Sequence, residues 1–374
     1  MAHSAQRGIG AYARSLLAAL ERVAPENRYT LFLPGESGDE DNAYPSTHIR
    51  RILPALPFGR ASALVANQIL LPWLARRPNL DVLHVLYVPY NPSHALAPLW
   101  KRVPLVITLH DLTPLNAPVM LRKWRYRLFY RLALWQCKRA DALIVDSEAS
   151  KEDVLRAHIA PPRRIFVAPL AVPDDRAEQI SHGEGHFQTP PSPYVLNVGS
   201  DDWNKNREGV LSAFALLASG SNSLPNLGLV LVGGSVERLD VLPEEVRRRV
   251  MHYPWLDRAS LCRLYAGASV FVFPSRYEGF GLPILEAMSA GTPVVTSDRG
   301  AMKEVAGGAA LLADPERPEA IAEATRQILG DATLAGQLRA LGSTRAAEFT
   351  WERTARVTLA AYQYAARRGA AREK

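Results

Sequence analysis

Ser275-Arg276-Tyr277-Glu278-Gly279-Phe280-Gly281-Leu282-Pro283-Ile284-Leu285-Glu286-Ala287 follows closely on the apolar run Val270–Phe273. The run reads as a buried strand closed by turn residues. Pro283 suits the first turn of a helix, where a missing N–H costs nothing. Gly279 and Gly281 let the backbone come close to a ligand and expose amide N–H groups. Strand, glycine turn and helix N-terminus together make an anion site suited to a diphosphate. This reading puts Glu286 in the first turn of the helix and Glu278 on the loop before it. Eight helical residues rise about 12 Å, so the two carboxylates are not the close pair of a glycoside hydrolase. Two acceptors flanking an anion cradle suit ribose hydroxyls on one side and sugar hydroxyls on the other.

The same alternation of strand and helix runs outward through the chain. Strand-like runs fall at 29–33, 82–86, 105–109, 142–145, 165–168, 194–198, 227–232, 270–273, 293–296 and 309–312. Helical patterns fall at 10–24, 61–77, 120–139, 148–158, 206–219, 258–267, 283–290, 317–330, 334–347 and 351–368. Alternation of this kind predicts an α/β protein with parallel sheets covered on both faces. At 374 residues, two domains are expected. The stretch 171–193 breaks the rhythm with Asp, Glu, Gly and Pro and no apolar period. The division is therefore an N-terminal Rossmann-like domain over 1–175, a linker over 176–192, a C-terminal Rossmann-like domain over 193–350 and a last helix over 351–374. Two such domains facing a cleft would place a ligand at the carboxyl ends of the strands. A Rossmann-like unit opens on a strand, whereas this chain opens on a glycine turn and a helix. A strand of about eight residues is thus expected, and missing, ahead of Gln6.

Three further stretches carry chemistry. In Asn197-Val198-Gly199-Ser200-Asp201-Asp202-Trp203-Asn204-Lys205-Asn206 a strand ends at Gly199 and a helix begins near Asn206. Lys205 is then a point cation on a strand-to-helix loop, suited to a phosphate. Gly8-Ile9-Gly10 precedes a helix and can place N–H groups at its N-terminus. Leu105-Val106-Ile107-Thr108-Leu109 ends in His110-Asp111, and a His at the carboxyl end of a strand faces the cleft in such folds.

Glu278-Gly-Phe-Gly-Leu-Pro-Ile-Leu-Glu286-Ala-Met, continued by Gly291-Thr292-Pro293-Val294-Val295, resembles retaining glycosyltransferase family 4, the group 1 glycosyl transferases. The resemblance covers most of 6–365. It implies the GT-B fold, with the last helix crossing back to the first domain, and a nucleotide diphosphate sugar as donor. It implies donor-site roles for Gly8, Gly10, Gly199, Ser200, Lys205 and the Gly279-Phe280-Gly281-Leu282 turn. Glu286 would bind the ribose and Glu278 the donor sugar, while the backbone and ring of His110 would also meet the sugar. Asp111 would orient His110 or approach the acceptor. Met251-His252-Tyr253-Pro254 would read the base, with Tyr253 stacking on it. Ser200 and Asn204 stand where many members carry Arg, so Lys205 carries more of the cationic clamp. His110, Glu278 and Lys205 are the implied catalytic set. The family also implies a front-face reaction without a covalent nucleophile.

Composition limits the alternatives. Hydrophobic and charged fractions of 48% and 22% exclude wholesale disorder. No apolar run reaches the ~18–20 residues of a membrane span, and no signal peptide opens the chain. Cys137 and Cys262 make neither a disulfide framework nor a metal knuckle, which fits a cytoplasmic protein. Asp39-Glu40-Asp41 has Asp-x-Asp spacing but reads as a solvated loop, so no metal and no other cofactor is expected. The net charge of +7 lies entirely in the first half, where residues 1–175 hold 22 Lys and Arg against 15 Asp and Glu. Within 120–140 there are seven Lys and Arg, no acid, and several aromatics. That segment suits an anionic membrane surface at the inner face of the cytoplasmic membrane; no nucleic-acid recognition module accompanies it. The resulting expectation is a glycosyltransferase of surface polysaccharide assembly, such as lipopolysaccharide, acting on a glycan or lipid-linked acceptor. The stretch 198–206 resembles mannosyltransferases and favours GDP-mannose. The alternatives are a catalytically impaired nucleotide-sugar-binding or partner protein lacking the first strand, and a sugar-nucleotide epimerase on the same fold.

Overall fold

Leu105-Val106-Ile107-Thr108-Leu109 is buried at all five positions, as is Val270-Phe271-Val272-Phe273 at all four. Strands apolar on both faces need cover on both faces, and only parallel sheets flanked by helices supply it. The computed structural model describes residues 3–34, 49–53, 80–87, 103–117, 121–173, 190–219, 223–235 and 239–371. Its described strands form three sheets, and every pairing in them is parallel.

The first unit comprises Met1–Pro169 and Trp351–Lys374. It runs α1 (His3–Val23), β1 (Thr30–Pro34), β2 (Ile49–Leu53), β3 (Leu83–Val85), β4 (Leu105–Leu109), α2 (Thr113–Asn116), α3 (Trp124–Arg139), β5 (Ala142–Val145), α4 (Glu148–Arg156) and β6 (Ile165–Val167). The second unit, Leu170–Thr350, runs β7 (Tyr194–Val198), α5 (Arg207–Ala218), β8 (Gly228–Val232), α6 (Glu244–Arg247), β9 (Val250–Tyr253), α7 (Arg258–Gly267), β10 (Val270–Phe273), α8 (Leu282–Ser289), β11 (Val294–Ser297), α9 (Gly300–Ala306), β12 (Leu311–Ala313), α10 (Pro318–Gly330) and α11 (Ala332–Ala347). A final helix, α12 (Trp351–Ala370), belongs to the first unit.

In the first unit β3-β4-β5-β6 form one sheet and β1-β2 a separate pair. Ala361 and Ala365 of α12 are fully buried against Val106, Ala142 and Ile144, with Val357, Tyr362 and Tyr364 packed around them. Small residues on the inner side of α12 let it lie close to the sheet. Arg22 of α1 donates to Glu352 of α12 at 2.6 Å across their exposed edge. The unit boundary falls at Pro169, ahead of the composition break, because Leu170 and Val172 pack into the core of the second unit.

Two expectations change here. Gly8-Ile9-Gly10 is not a turn, since α1 runs unbroken from His3 through both glycines. Ala5, Gln6, Arg7 and Ala11 are strong helix formers and no proline intervenes. Each glycine then costs about 0.5–1 kcal/mol without ending the helix. The amides of Gly8 and Gly10 lie beyond the first four of α1, so they belong to its own hydrogen-bond ladder and cannot cradle a phosphate. The span ahead of Gln6 is likewise helical from His3. Second, β2 pairs with β1, Thr30 opposite Ile49. Arg50 and Arg51 interrupt its apolar run and hide it from a hydrophobicity reading. The helical pattern at 61–77, Asp39-Glu40-Asp41 and most of the linker lie outside the described residues.

Candidate active site

The second-unit sheet has the order β12-β11-β10-β7-β8-β9. From β7 the chain builds outward through β8 and β9 on one side, then returns to add β10, β11 and β12 on the other. The strand order therefore reverses between β7 and β10, where ligands bind in open parallel sheets, outside the carboxyl ends. The loops leaving those two strands carry Lys205 and Glu278.

The loops are joined by hydrogen bonds. Arg276 N–H donates to the Asn204 carbonyl at 2.7 Å, and the Asn204 side chain donates to the Tyr277 carbonyl at 3.1 Å. The Arg276 guanidinium donates to the Trp203 carbonyl at 2.9 Å and lies over the Trp203 ring. Asn206 adopts a left-handed conformation, φ 54°, which Asn tolerates better than most residues. Its side chain accepts from Gly209 N–H to cap α5 and donates to the Pro274 and Pro315 carbonyls at 3.1 and 2.7 Å. Lys205 Nζ thereby stands 2.8 Å from Glu278 Oε1 and donates to Oε2 at 3.0 Å. Both side chains are largely shielded, and the ammonium sits 5.4 Å above the Phe273 ring. Gly199 lies against the Lys205 stem.

Buried Arg207 braces the floor of this site. It donates to the Gly199 and Gly233 carbonyls at the ends of β7 and β8, and its Nε lies 3.6 Å from Asp201 Oδ1. Burial lowers the Arg207 pKa, and Asp201 opposes that shift. Gly233 has φ +82°, and a Cβ there would fall 2.7 Å from the Gly199 carbonyl oxygen, so only glycine fits. Ser200 donates to Asp202 at 2.6 Å. Tyr253 ends β9 opposite Val232, is half-buried, and its carbonyl accepts from Gly233 N–H.

The Gly279–Leu282 turn leads into α8 with Gly281 at φ +103°, and no side chain caps that end. The Phe280 side chain belongs to the core: its ring is buried and packs edge-on against Phe349 at 5.7 Å. Glu286 is the fifth residue of α8, one residue deeper than expected, because the helix begins at Leu282. It is buried, with Oε1 2.5 Å from the Arg258 guanidinium and Oε2 accepting from the Tyr265 hydroxyl at 3.0 Å. Arg258, Tyr265 and Arg207 were missed by the sequence reading. Arg258 and Tyr265 stand 28 and 21 positions from Glu286 and carry no local signal.

In the first unit His110 follows β4, Asp146 follows β5 and Leu86 follows β3, so adjacent strands bring them together. His110 Nδ1 lies 2.8 Å from Asp146 Oδ2, and Nε2 donates to the Leu86 carbonyl at 3.0 Å. Burial disfavours the imidazolium, but the Asp146 carboxylate outweighs it and the His110 pKa is raised. Both ring nitrogens are thus occupied within the unit. Asp111 Oδ1 accepts from Thr113 N–H at 2.9 Å and so holds the start of α2.

Beside this pair lies a polar chain that the sequence did not announce. His84 Nδ1 is 2.8 Å from the Tyr362 hydroxyl of α12, and Nε2 is 2.8 Å from Thr108 Oγ1. Tyr12 of α1 approaches Thr108 Oγ1 at 3.4 Å and meets the His110 ring edge-on at 4.8 Å. Burial and the nearby His110 push the His84 pKa down to about 3. No group of three or more potential metal ligands occurs among the described residues.

Two α/β units with parallel sheets, one carrying a cation–carboxylate pair at its strand-order reversal, define a GT-B protein. The description Glycosyltransferase Family 4 matches residues 6–176, and Glycosyl transferases group 1 matches residues 184–344. O-antigen chain mannosyltransferase B of Escherichia coli is 32% identical over 287 residues, covering 74% of each chain. Serotype-specific mannosyltransferase WbdA of Escherichia coli is 29% identical over 272 residues, which are 70% of this chain and 33% of that protein. The solved sucrose-phosphate synthase from Thermosynechococcus elongatus shares the fold with a TM-score of 0.71 at 24% identity, over 94% of this chain and 92% of that one. The chain belongs to the group 1 glycosyltransferases of GT-B fold, and it is a glycosyltransferase.

Proposed function

We propose that the protein transfers mannose from GDP-mannose, with retention of configuration, to a glycan or lipid-linked acceptor in surface polysaccharide assembly. The observation that carries the donor site is the Lys205–Glu278 pair at the strand-order reversal. Without a ligand, Glu278 neutralises Lys205. A diphosphate arriving at the N-terminal end of α8 offers the ammonium a stronger partner and frees Glu278 for the sugar hydroxyls. Lys205 and the turn amides then stabilise charge as it develops on the departing diphosphate, without a metal or other cofactor. Glu286, held rigid by Arg258 and Tyr265, presents a fixed acceptor to the ribose. The mannosyl donor and the surface-polysaccharide acceptor rest on likeness to O-antigen chain mannosyltransferase B.

The test is a thermal-shift screen with UDP, GDP, ADP, dTDP and CMP, followed by transfer assays with the matching donors and NMR of the product anomer. GDP alone should stabilise the fold, GDP-mannose should turn over in chelator, and the anomeric configuration should be kept. Stabilisation by another diphosphate would overturn the base, and an inverted product the stereochemistry.

A further inference from the structure

α3 packs on one side only. Tyr130, Ala133, Gln136 and Cys137 are its buried residues. At 3.6 residues per turn, Trp124, Leu128 and Trp135 project within about 40° of one another on the opposite side. They are 68%, 60% and 41% exposed. Arg127, Arg131 and Lys138 are exposed along one flank of this stripe and Arg139 along the other, its guanidinium 4.6 Å from the centre of the Trp135 ring. Arg122 and Lys123 extend the charge past the N-terminal end, and exposed Arg125 adds to it in the first turn. No Asp or Glu occurs between Asp111 and Asp141, so no side chain of α3 can neutralise these cations.

Two features separate this face from an ordinary solvated one. A solvated helix face alternates charges of opposite sign and keeps bulky apolar groups scattered. Here one sign of charge rims a line of two indoles and a leucine. Indoles rest where an apolar body and a polar edge are both satisfied, at the headgroup level of a bilayer. Arginine and lysine on either side reach lipid phosphates while their stems cover apolar surface. Among the described residues no helix is long and apolar enough to cross a membrane, so α3 would lie in the interface plane.

We propose that the outer face of α3 docks the first unit on an anionic lipid surface, with Trp124, Leu128 and Trp135 at the headgroup–acyl boundary and the flanking Arg and Lys on lipid phosphates. This inference stands independently of the donor and acceptor assigned above.

The test is co-sedimentation of the full chain with vesicles of phosphatidylcholine alone or with 30% phosphatidylglycerol, with tryptophan quenching by brominated lipid. Two variants are compared, Arg127→Glu/Arg131→Glu and Trp124→Ala/Trp135→Ala, both checked for unchanged melting. The expected result is partitioning about tenfold stronger to anionic vesicles, weakened by salt. Each variant should lose most of it, and the second should also lose the quenching. Equal recovery on both vesicle types overturns the proposal. So does loss in the charge variant alone without quenching, which would mark a site for a soluble polyanion such as nucleic acid. A dimer in sedimentation velocity that Trp124→Ala/Trp135→Ala dissolves would assign the face to a second copy of the chain and overturn it equally.

Discussion

Replacing His84 with Gln should remove a defined part of the acid sensitivity of the first unit. The neutral His84 ring lies between the Tyr362 and Thr108 hydroxyls, both at 2.8 Å. Gln keeps one donor and one acceptor there but cannot take a proton. Burial, with the nearby His110, lowers the His84 pKa from 6.5 to about 3. Its proton uptake therefore favours the unfolded chain once pH falls below about 6.5. At pH 5 the unfolded imidazole is protonated and the folded one is not, so the linkage costs about 2 kcal/mol relative to pH 7. His110 acts in a different window. Its pKa is raised, so its contribution is complete below about 6.5 and is lost only as pH climbs through the folded value. Hydrogen exchange of the β4 and β5 amides reads the opening free energy of this unit directly. Between pH 7 and 5 the parent protein should lose about 2 kcal/mol more than His84→Gln. Equal losses in the two proteins would refute the reasoning, because His84 would then protonate as readily folded as unfolded.

Four further outcomes follow from the second unit. Lys205→Ala should lower turnover at least about tenfold, or ~1.4 kcal/mol of transition-state stabilisation, with unchanged melting; normal turnover would remove Lys205 from the donor site. Gly233→Ala places a Cβ 2.7 Å from the Gly199 carbonyl at a left-handed φ, so nucleotide affinity measured by calorimetry should fall about tenfold or more. Gly291→Ala, with φ +75° and open space, should cost only the backbone strain of about 1 kcal/mol and leave affinity unchanged. Arg258→Met leaves the buried Glu286 carboxylate with Tyr265 but without its cation, and denaturation should show a loss of about 2 kcal/mol, discounted because Arg258 is partly exposed.

Much of the fold could be read locally. The bounds of β4, β5, β7 and β10 coincide with their apolar runs because a strand buried on both faces is apolar at nearly every position, Thr108 and Asn197 being the polar exceptions. The turn into α8 was equally visible, since Gly281 and Pro283 each have a steric reason to be there. The local reading failed where the surrounding helix or tertiary packing outweighs the preference of a single residue. Gly8 and Gly10 look like a turn, yet α1 continues through them because the residues around them favour helix. Phe280 sits within the glycine turn but turns inward to Phe349, 69 positions away in the chain.

The candidate site divides along the same line. Lys205, Glu278, Glu286 and His110 were identifiable because each follows or ends a strand–turn–helix junction whose spacing is local. Their partners were not. Asp146 reaches His110, Arg258 reaches Glu286, and Tyr362 reaches His84 across 278 positions. The sequence by itself determined which segments become strands and helices and where the anion-binding turn lies, since side-chain periodicity and backbone sterics act over a few residues. Only the tertiary structure decided that β7 lies beside β10, that α12 returns to β4 and β5, and which buried charge meets which. Those choices are made by shared burial between distant segments, which no short stretch of the chain contains.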